Sequence, residues 1–240
     1  CFEYINVDNI NYGIIKAVEP YNMQVFLDVI KAVSEIDGIK RIRLGSIEPR
    51  IMTEEFISEI ASIDKMCNHF HIALQSGCDE TLKRMNRKYN TEEYRKSVDL
   101  VRKYFDNPAI ATDIMVGFPG ETEEEFRASL NFAVGLKLAD AHVFAYSNRK
   151  GTKADTMENQ VEKAVKEARS KEMISALKQT QKEYLESYVG KTAEVLFEQE
   201  VKDGIYEGHM TNYVKVHMKS DEDISGNFVN VTLKNIKGDY

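Results

Sequence analysis

The most constraining feature of the sequence is a regular alternation of strand-like and helix-like stretches through its first 146 residues. Short apolar runs alternate with amphipathic stretches in which apolar residues recur at helical spacing, as Val25, Val29 and Val33 do. This alternation predicts parallel β-α-β units, either in an open sheet or closed into a barrel. The strand candidates are 2–7, 41–47, 69–75, 109–116 and 140–146, and the helix candidates are 21–36, 53–66, 91–104 and 122–136.

Composition narrows the class of protein. The 240 residues are 42% hydrophobic, which is enough for a sizeable core. No run approaches the roughly 18 apolar residues of a membrane span, and Cys1, Cys67 and Cys78 are too few and too irregular for a disulfide framework. We therefore expect a cytoplasmic protein with no membrane partner. The net charge of −7 argues weakly against nucleic acid, although a local basic patch stays possible.

The pattern changes after the alternating region. Six basic and six acidic residues balance between 158 and 188, which predicts a solvated connecting helix with Met173 and Leu177 among its buried positions. From Gly190 short alternating runs separated by turn residues predict a small β-barrel. The predicted domains are 1–152, an α/β domain, 153–188, a helical connection, and 189–240, the small β-barrel.

The ends of the predicted strands are polar or rich in glycine, as in "GSIEP" at 45–49 and "QSGCDE" at 75–80. In parallel α/β folds the ligand site lies at these carboxyl ends. The stretch "TDIMVGFPGETEEEF" predicts a strand, a tight turn and a helix with a capping box between Thr122 and Glu125. Its glycines either form an ordinary turn or let the backbone approach a ligand, and the helix N-terminus favours an anionic group.

Four polar residues near these ends are candidates for ligand binding. Asp113 interrupts an apolar strand, where a charge is either half-exposed or paired. Gln75 could hydrogen-bond a ribose, and Arg87, predicted on a short helix, could clamp a carboxylate with its planar fork. Glu48 is either a ligand or an ordinary loop acid, and spacing alone favours ordinary surface positions over ligand contacts for Gln75 and Arg87.

Four motifs together resemble, in order and spacing, the radical S-adenosylmethionine (SAM) methylthiotransferases: "RLGSIEP", "LQSGCDETLKRMNRKY", "TDIMVGFPGET" and "HVFAYSNRKGT". The tail, with "GHMTNYVKV" and "GNFVNVTL", is similar to the TRAM domain of those enzymes. Within the family, "SIEP" is most similar to the MtaB branch, which modifies tRNA. The resemblance implies an α/β fold, a partial (β/α) radical SAM barrel lacking its first strand, followed by a small OB-like β-barrel.

The resemblance also implies a cofactor pocket and an activity. It places Gln75 on the SAM ribose and Arg87 on the SAM carboxylate. The implied SAM-binding residues are Ser46, Glu48, Gln75, Arg87, Asp113, Gly117, Pro119 and Gly120. The implied reaction adds a methylthio group to C2 of N6-threonylcarbamoyladenosine beside the tRNA anticodon. SAM and two [4Fe–4S] clusters carry this chemistry in the family, so no catalytic side chain is predicted.

The family's cysteine motif, C-x3-C-x2-C, does not occur in the sequence. We therefore predict that this chain ligates no cluster or other metal, and that it is the C-terminal part of a longer enzyme, inactive by itself. A barrel without its first strand would leave an exposed edge, where we expect a covering segment or a dimer contact.

Binding of tRNA would need basic or aromatic surface residues, and the candidates are Arg149, Lys150, Tyr213 and Lys215. Between 190 and 240 nine acidic residues outnumber six lysines, which argues against strong binding by this region alone. Three alternatives stay open: a non-catalytic RNA-binding protein, a methylthiotransferase of the MiaB or RimO type, and an unrelated barrel enzyme acting on a phosphorylated substrate.

Overall fold

The computed structural model describes residues 23–236 in full and residues 2–6 by their backbone. The first sheet contains β1 (Phe2–Asn6), β2 (Ile39–Ile47), β3 (Met66–Ile72), β4 (Ala109–Val116) and β5 (Asp140–Ala145). The helices are α1 (Met23–Ser34), α2 (Glu54–Ala61), α3 (Asp79–Arg84), α4 (Thr91–Tyr104), α5 (Glu123–Gly135) and α6 (Lys163–Glu186). A second sheet contains β6 (Thr192–Lys202), β7 (Ile205–Met210), β8 (Lys215–Lys219) and β9 (Phe228–Thr232).

The first sheet has the strand order β1-β2-β3-β4-β5, and β2 to β5 are parallel. This confirms the predicted α/β fold. The prediction was wrong for the first strand, because β1 pairs antiparallel with β2. An apolar run predicts a strand without fixing its direction, and an antiparallel strand needs no helical crossover to join a free edge. The edge of β2 that we expected to be exposed is therefore covered by β1, and dimerisation there stays a prediction.

The main core lies between one face of this sheet and the helices. Phe70 and Ile72 of β3 are fully buried on this face, and Phe56 and Ile60 of α2 are buried against them in the same cluster. Because side chains alternate along a strand, the residues between these positions point to the opposite face of the sheet. We call this opposite face the inner face, and it carries Arg41 and Arg43 of β2 and His69 and His71 of β3.

Helix starts follow the local sequence. Thr53 accepts a hydrogen bond from the Phe56 N–H and caps α2. The capping box predicted for Thr122 and Glu125 is present at the start of α5. These caps satisfy amide groups that a helix start otherwise leaves without partners.

Helix α6 is packed rather than solvated, which differs from the sequence prediction, while its predicted buried positions Met173 and Leu177 are confirmed. Met173 and Leu177 lie in the main core, and the helix contacts β5, β4 and α5. Balanced charge predicted a solvated helix, but the apolar stripe and a buried arginine (Arg169) attach it to the sheet. Of the helices that the structure describes, none combines the length and apolar character needed to cross a bilayer.

The C-terminal sheet has the order β8-β7-β6-β9 with every pairing antiparallel. Val195, Phe197 and Tyr206 form the centre of its separate small core. Gly208 of β7 lies so close to β6 that an added Cβ would stand 2.2 Å from the Leu196 carbonyl oxygen. The four predicted strands are confirmed, and the curved half-barrel that they form is consistent with a small β-barrel.

Arg41 joins the two sheets. Its Nη1 donates to the His209 carbonyl oxygen at 2.8 Å, and its Nη2 donates to the backbone and side-chain oxygens of Glu194, both at 3.1 Å. The guanidinium also lies 4.8 Å from the ring centroid of Phe228. A single side chain of β2 therefore contacts three strands of the C-terminal sheet.

Tyr213 fills the inner face beside Arg41. The Arg43 guanidinium lies 3.9 Å from its ring centroid on one side, and the His209 ring is stacked 4.3 Å away at an interplanar angle of 11°. The His69 ring is 5.4 Å away. We call these four residues the Tyr213 stack. The stack covers the inner face at His69, two residues before His71 along β3.

His69 in the Tyr213 stack makes stability depend on pH. Burial, reinforced by the nearby Arg43 charge, lowers the pKa of His69 to about 3. Because the unfolded imidazole titrates near pH 6.5, acid protonates the unfolded chain first and lowers the free energy of unfolding. Between pH 7.5 and pH 5.5 we expect His69 to remove about 1.4 kcal/mol.

The measurement is urea unfolding at these two pH values for the wild-type chain and for His69→Gln. The variant should lose less stability on acidification, although His71, whose pKa burial also lowers, leaves part of the slope in place. His217→Gln, which changes an exposed residue of β8, is the control. An unchanged pH slope in His69→Gln would contradict this assignment.

Candidate functional site

Three neighbouring parallel strands have a residue with left-handed backbone at or just beyond their carboxyl ends. Ser46 near the end of β2 has φ 54°, Gln75 after β3 has φ 66°, and Gly117 after β4 has φ 71°. This conformation is uncommon for residues other than glycine and costs on the order of 1 kcal/mol. Strained residues of this kind cluster at functional sites. The three residues lie at the same edge of the sheet, where the sequence predicts the ligand site.

Gln75 is held in place by its backbone. Its N–H donates to the Asp113 carbonyl oxygen at 2.8 Å, and its own carbonyl accepts from the Met115 N–H at 2.9 Å. The residue is half-buried, and its side-chain amide makes no hydrogen bond to any residue in the described ranges. A fixed backbone with an uncommitted amide is suited to hydrogen-bonding a ligand such as a ribose.

The Tyr89 hydroxyl organises the neighbouring turn. It donates to the Ala73 and Leu74 carbonyl oxygens at 2.8 and 3.1 Å, just before Gln75. Burial raises the pKa of Tyr89 to about 12, while the Arg87 charge lowers that pKa and the Glu48 charge raises it, both by less than burial does. Both predicted charged residues are therefore within electrostatic range of this hydroxyl.

Arg87 differs from its predicted setting, whereas Glu48 lies just after β2, as the sequence predicts. Arg87 was predicted on a short helix, which is wrong, because α3 ends at Arg84 and Arg87 lies exposed in the following turn. Its N–H donates to the Leu82 carbonyl oxygen at 2.9 Å, which closes that turn. The Glu48 carboxylate lies 3.2 Å from Arg50 Nε. The guanidinium of Arg87 is exposed and therefore accessible to a ligand carboxylate.

The glycines of the "GFPGET" turn are packed against protein side chains. A Cβ on Gly117 would lie 2.2 Å from Lys166 Cγ of α6, and one on Gly120 would lie 3.3 Å from Arg84 Nε. Pro119 between them is buried. These residues therefore shape the end of β4 by accommodating α6 and α3. The contact with a ligand implied for them stays a prediction.

A buried ion pair fixes this turn to α6. Glu121 Oε1 accepts from the Gly117 N–H and from Arg169 Nη1, both at 2.8 Å. The two side chains are 2% and 8% exposed. Burial raises the pKa of Glu121, while the Gly117 amide and Arg169 oppose that rise. Arg169 Nη2 also reaches Glu123 at 3.2 Å. Sequence reasoning missed this pair, since Arg169 looked like one charge among many.

Asp113 has two histidine neighbours on the inner face. Its Oδ1 lies 3.4 Å from His71 Nε2 of β3 and 3.4 Å from His142 Nδ1 of β5. The partner that its sequence context required is thus a pair of imidazoles. Sequence reasoning missed both histidines. The available signal was the period-2 placement of His69 and His71 in "HFHIALQ", which puts both on one strand face.

The described cysteines do not fit an iron–sulfur cluster. Cys67 lies near the start of β3 and Cys78 lies beyond its end, with Cys78 Sγ 3.1 Å from a Glu80 oxygen. Burial raises the pKa of Cys67 to about 11, which disfavours the thiolate that binds metal. Cys1 lies outside the described residues. Since a [4Fe–4S] cluster takes several thiolates, no reaction step is assigned through a cluster here.

The four RNA-binding candidates do not form one surface. Arg149 and Lys150 are exposed in the turn after β5, at the carboxyl ends of the strands. Tyr213 belongs to the stack near the opposite ends, and Lys215 pairs with Glu207 at 3.0 Å. The role of these four residues in RNA binding stays a prediction. Arg149 and Lys150, in the turn after β5, lie at the same end of the strands as the candidate site.

The sequence matches the family model of the radical SAM superfamily over residues 7–133. It is 37% identical over 217 residues to a tRNA-2-methylthio-N(6)-dimethylallyladenosine synthase of Lachnoclostridium phytofermentans, covering 90% of this chain and 48% of that protein. It is 40% identical over 211 residues to the threonylcarbamoyladenosine tRNA methylthiotransferase MtaB of Bacillus subtilis, covering 85% and 47%. The chain thus spans about half the length of these relatives.

A solved structure with a similar fold is that of a radical SAM enzyme. The Escherichia coli coproporphyrinogen III oxidase HemN, a radical SAM enzyme, superposes with a TM-score of 0.52 at 16% identity. The match covers 68% of this chain and 38% of that one. At this identity the resemblance concerns the α/β architecture alone.

The buried pair of Glu121 and Arg169 leads to a stability prediction. Arg169→Ala leaves a carboxylate buried without its cation, so we expect the free energy of unfolding to fall by about 3–5 kcal/mol. The matched control is Arg127→Ala, since Arg127 pairs with Glu123 and Glu172 on the surface and should contribute at most about 1 kcal/mol. Urea unfolding measures both. Equal losses in the two variants would contradict the special role of the buried pair.

Proposed function

Because the chain belongs to the radical SAM superfamily, we propose that it is the SAM-binding and RNA-facing part of a tRNA methylthiotransferase. The observation that carries the proposal is the row of residues with left-handed backbone, Ser46, Gln75 and Gly117, with polar side chains at the carboxyl ends of parallel strands. The two relatives that are tRNA methylthio-modifying enzymes by name support the reaction class. An activity on tRNA also implies a cytoplasmic protein.

SAM would lie against the strand ends. The Gln75 amide would hydrogen-bond the ribose, and the exposed Arg87 guanidinium would clamp the methionine carboxylate. Glu48 and Asp113 would line the pocket with Ser46 beside them, while Gly117, Pro119 and Gly120 would shape its wall. In radical SAM enzymes a [4Fe–4S] cluster supplies the reductive cleavage of SAM. We assign the two clusters of this activity to the longer protein, and we expect the 240-residue chain alone to be inactive.

The proposed reaction adds a methylthio group to C2 of N6-threonylcarbamoyladenosine. "SIEP" at 46–49 and the 40% identity to MtaB support this substrate. The dimethylallyladenosine synthases at 35–38% identity support the second candidate, in which the same chemistry acts on N6-dimethylallyladenosine. Arg149 and Lys150, beside the strand ends, would contact the tRNA backbone, and Tyr213 and Lys215 are weaker candidates. The C-terminal half-barrel would be a TRAM domain.

SAM binding to the chain itself is the first expectation. We expect SAM to raise the melting temperature of the 240-residue chain, and Gln75→Asn to weaken SAM binding by about two- to tenfold through loss of one hydrogen bond. Asparagine tolerates the left-handed backbone at this position, so the variant tests the side chain rather than the fold. Gln179→Asn, on the exposed face of α6, is the control. Protection by a sugar phosphate and not by SAM would favour a phosphorylated substrate instead.

The substrate is tested on tRNA from the source organism. Total tRNA from strains with and without the complete gene is digested and its nucleosides are compared by mass spectrometry. We expect the deletion to remove the 2-methylthio form of threonylcarbamoyladenosine while the unmodified nucleoside accumulates. The gene carrying Gln75→Asn should restore less of it than the wild-type gene. Loss of the 2-methylthio form of dimethylallyladenosine would assign the second candidate, and no change in either would favour a non-catalytic RNA-binding protein.

A further inference from the structure

Three potential ligands converge on the inner face from three adjacent strands. His71 of β3, Asp113 of β4 and His142 of β5 each offer one atom, and these atoms all lie within 4.8 Å of one another. Asp113 and His142 are register partners in the parallel pair, so the sheet itself holds them side by side. We call these three residues the His-Asp-His cluster.

The spacing within the cluster is wrong for strong hydrogen bonds. Both imidazole nitrogens stand 3.4 Å from Asp113 Oδ1, whereas N–H···O bonds centre near about 2.9 Å. His71 Nε2 is buried and has no hydrogen-bond partner of acceptable geometry. A buried nitrogen left in this state normally has a partner such as a water or an ion.

The 3.4 Å distance from each imidazole nitrogen to Asp113 Oδ1 suits ligands that share a metal ion. Two ligands at about 2.0–2.1 Å from a tetrahedral zinc ion stand roughly 3.3 Å apart. Two imidazoles and one carboxylate are also a common donor set for zinc and related divalent ions, whereas magnesium and calcium prefer oxygen alone.

The surroundings add a second carboxylate and an entrance. The other ring nitrogen of His142, Nε2, lies 3.7 Å from Asp140 Oδ2, which is within ion-pair distance but too long for a hydrogen bond. Side-chain exposure rises from 17% for His71 through 31% for Asp113 to 57% for His142. An ion could therefore enter from the β5 side.

We infer that the His-Asp-His cluster binds a divalent transition-metal ion, Zn²⁺ by its donor set, through His71 Nε2, Asp113 and His142 Nδ1. Three protein ligands leave the remaining coordination position open to the inner face, where water or a ligand oxygen or nitrogen can bind. This site departs from the sequence prediction that the chain ligates no metal, which considered the cysteines alone. It is separate from the cysteine-bound clusters of the proposed function and uses no cysteine. It shares only Asp113 with the proposed SAM pocket.

Cobalt(II) provides the test, because its visible absorption reports ligand number and type. The metal-stripped 240-residue chain is titrated with Co²⁺ and the bound ion is then displaced with Zn²⁺. We expect one equivalent to bind with tetrahedral or five-coordinate d–d bands, without the sulfur-to-cobalt charge-transfer band that ligation by Cys67 or Cys78 would give.

Variants locate the site. His142→Gln and Asp113→Asn should each weaken Co²⁺ binding by at least about tenfold. Because the His142 side chain is exposed, replacing it should not unfold the chain, so weaker binding in that variant would report loss of a ligand. His217→Gln, which changes a histidine paired with Glu207 on the C-terminal sheet, should bind as the wild type does. Circular dichroism confirms that each variant is folded.

Two results would overturn the inference: Co²⁺ affinity that is equal in His142→Gln and His217→Gln, or spectra showing thiolate ligation. Gln75→Asn separates this inference from the proposed function, because it should weaken SAM binding and leave Co²⁺ binding unchanged. Co²⁺ binding without a rise in melting temperature on adding SAM would support the metal site and count against the SAM pocket. A rise in melting temperature with SAM but no Co²⁺ binding would support the SAM pocket and count against the metal site.

Discussion

The buried ion pair between Glu121 and Arg169 is the interaction on which the candidate site most depends. Glu121 holds the Gly117 amide, and Arg169 brings α6 against the same turn. The end of β4 is thereby fixed from two sides, and β4 carries Asp113 and binds the backbone of Gln75. A charge pair of this kind is costly to desolvate, so its value lies in defining one arrangement of turn and helix.

The inner face of the sheet is divided along its length. Near the strand starts the Tyr213 stack and Arg41 attach the C-terminal sheet. Next along the strands comes Asp113 with its two histidines, and at the strand ends come Gln75 and the other residues with left-handed backbone. The contacts with the C-terminal sheet, the polar cluster and the candidate ligand site therefore follow one another along the strands.

The sequence was sufficient to predict most of the helices and strands, and the sheet edge of the candidate site. Phe56 and Ile60 revealed their helix through spacing, and Thr122 and Glu125 revealed a helix start through local chemistry. It was insufficient where the deciding contact is distant in sequence. Arg169 meets Glu121 across 48 residues, and His142 meets Asp113 through strand pairing. The direction of β1 and the position of Arg87 outside α3 likewise depend on tertiary context rather than on residue periodicity.

The attachment of the C-terminal sheet fixes its distance from the carboxyl ends of the strands in the first sheet. Because Arg41 and Tyr213 anchor that sheet at one end of the strands, anything gripped by its outer surface is held at a set offset from the strand ends. A folded polymer that bound the C-terminal sheet would reach the strand ends only with the unit that lies at this fixed distance from its bound region. Its dimensions would therefore select that unit independently of the chemical groups on it.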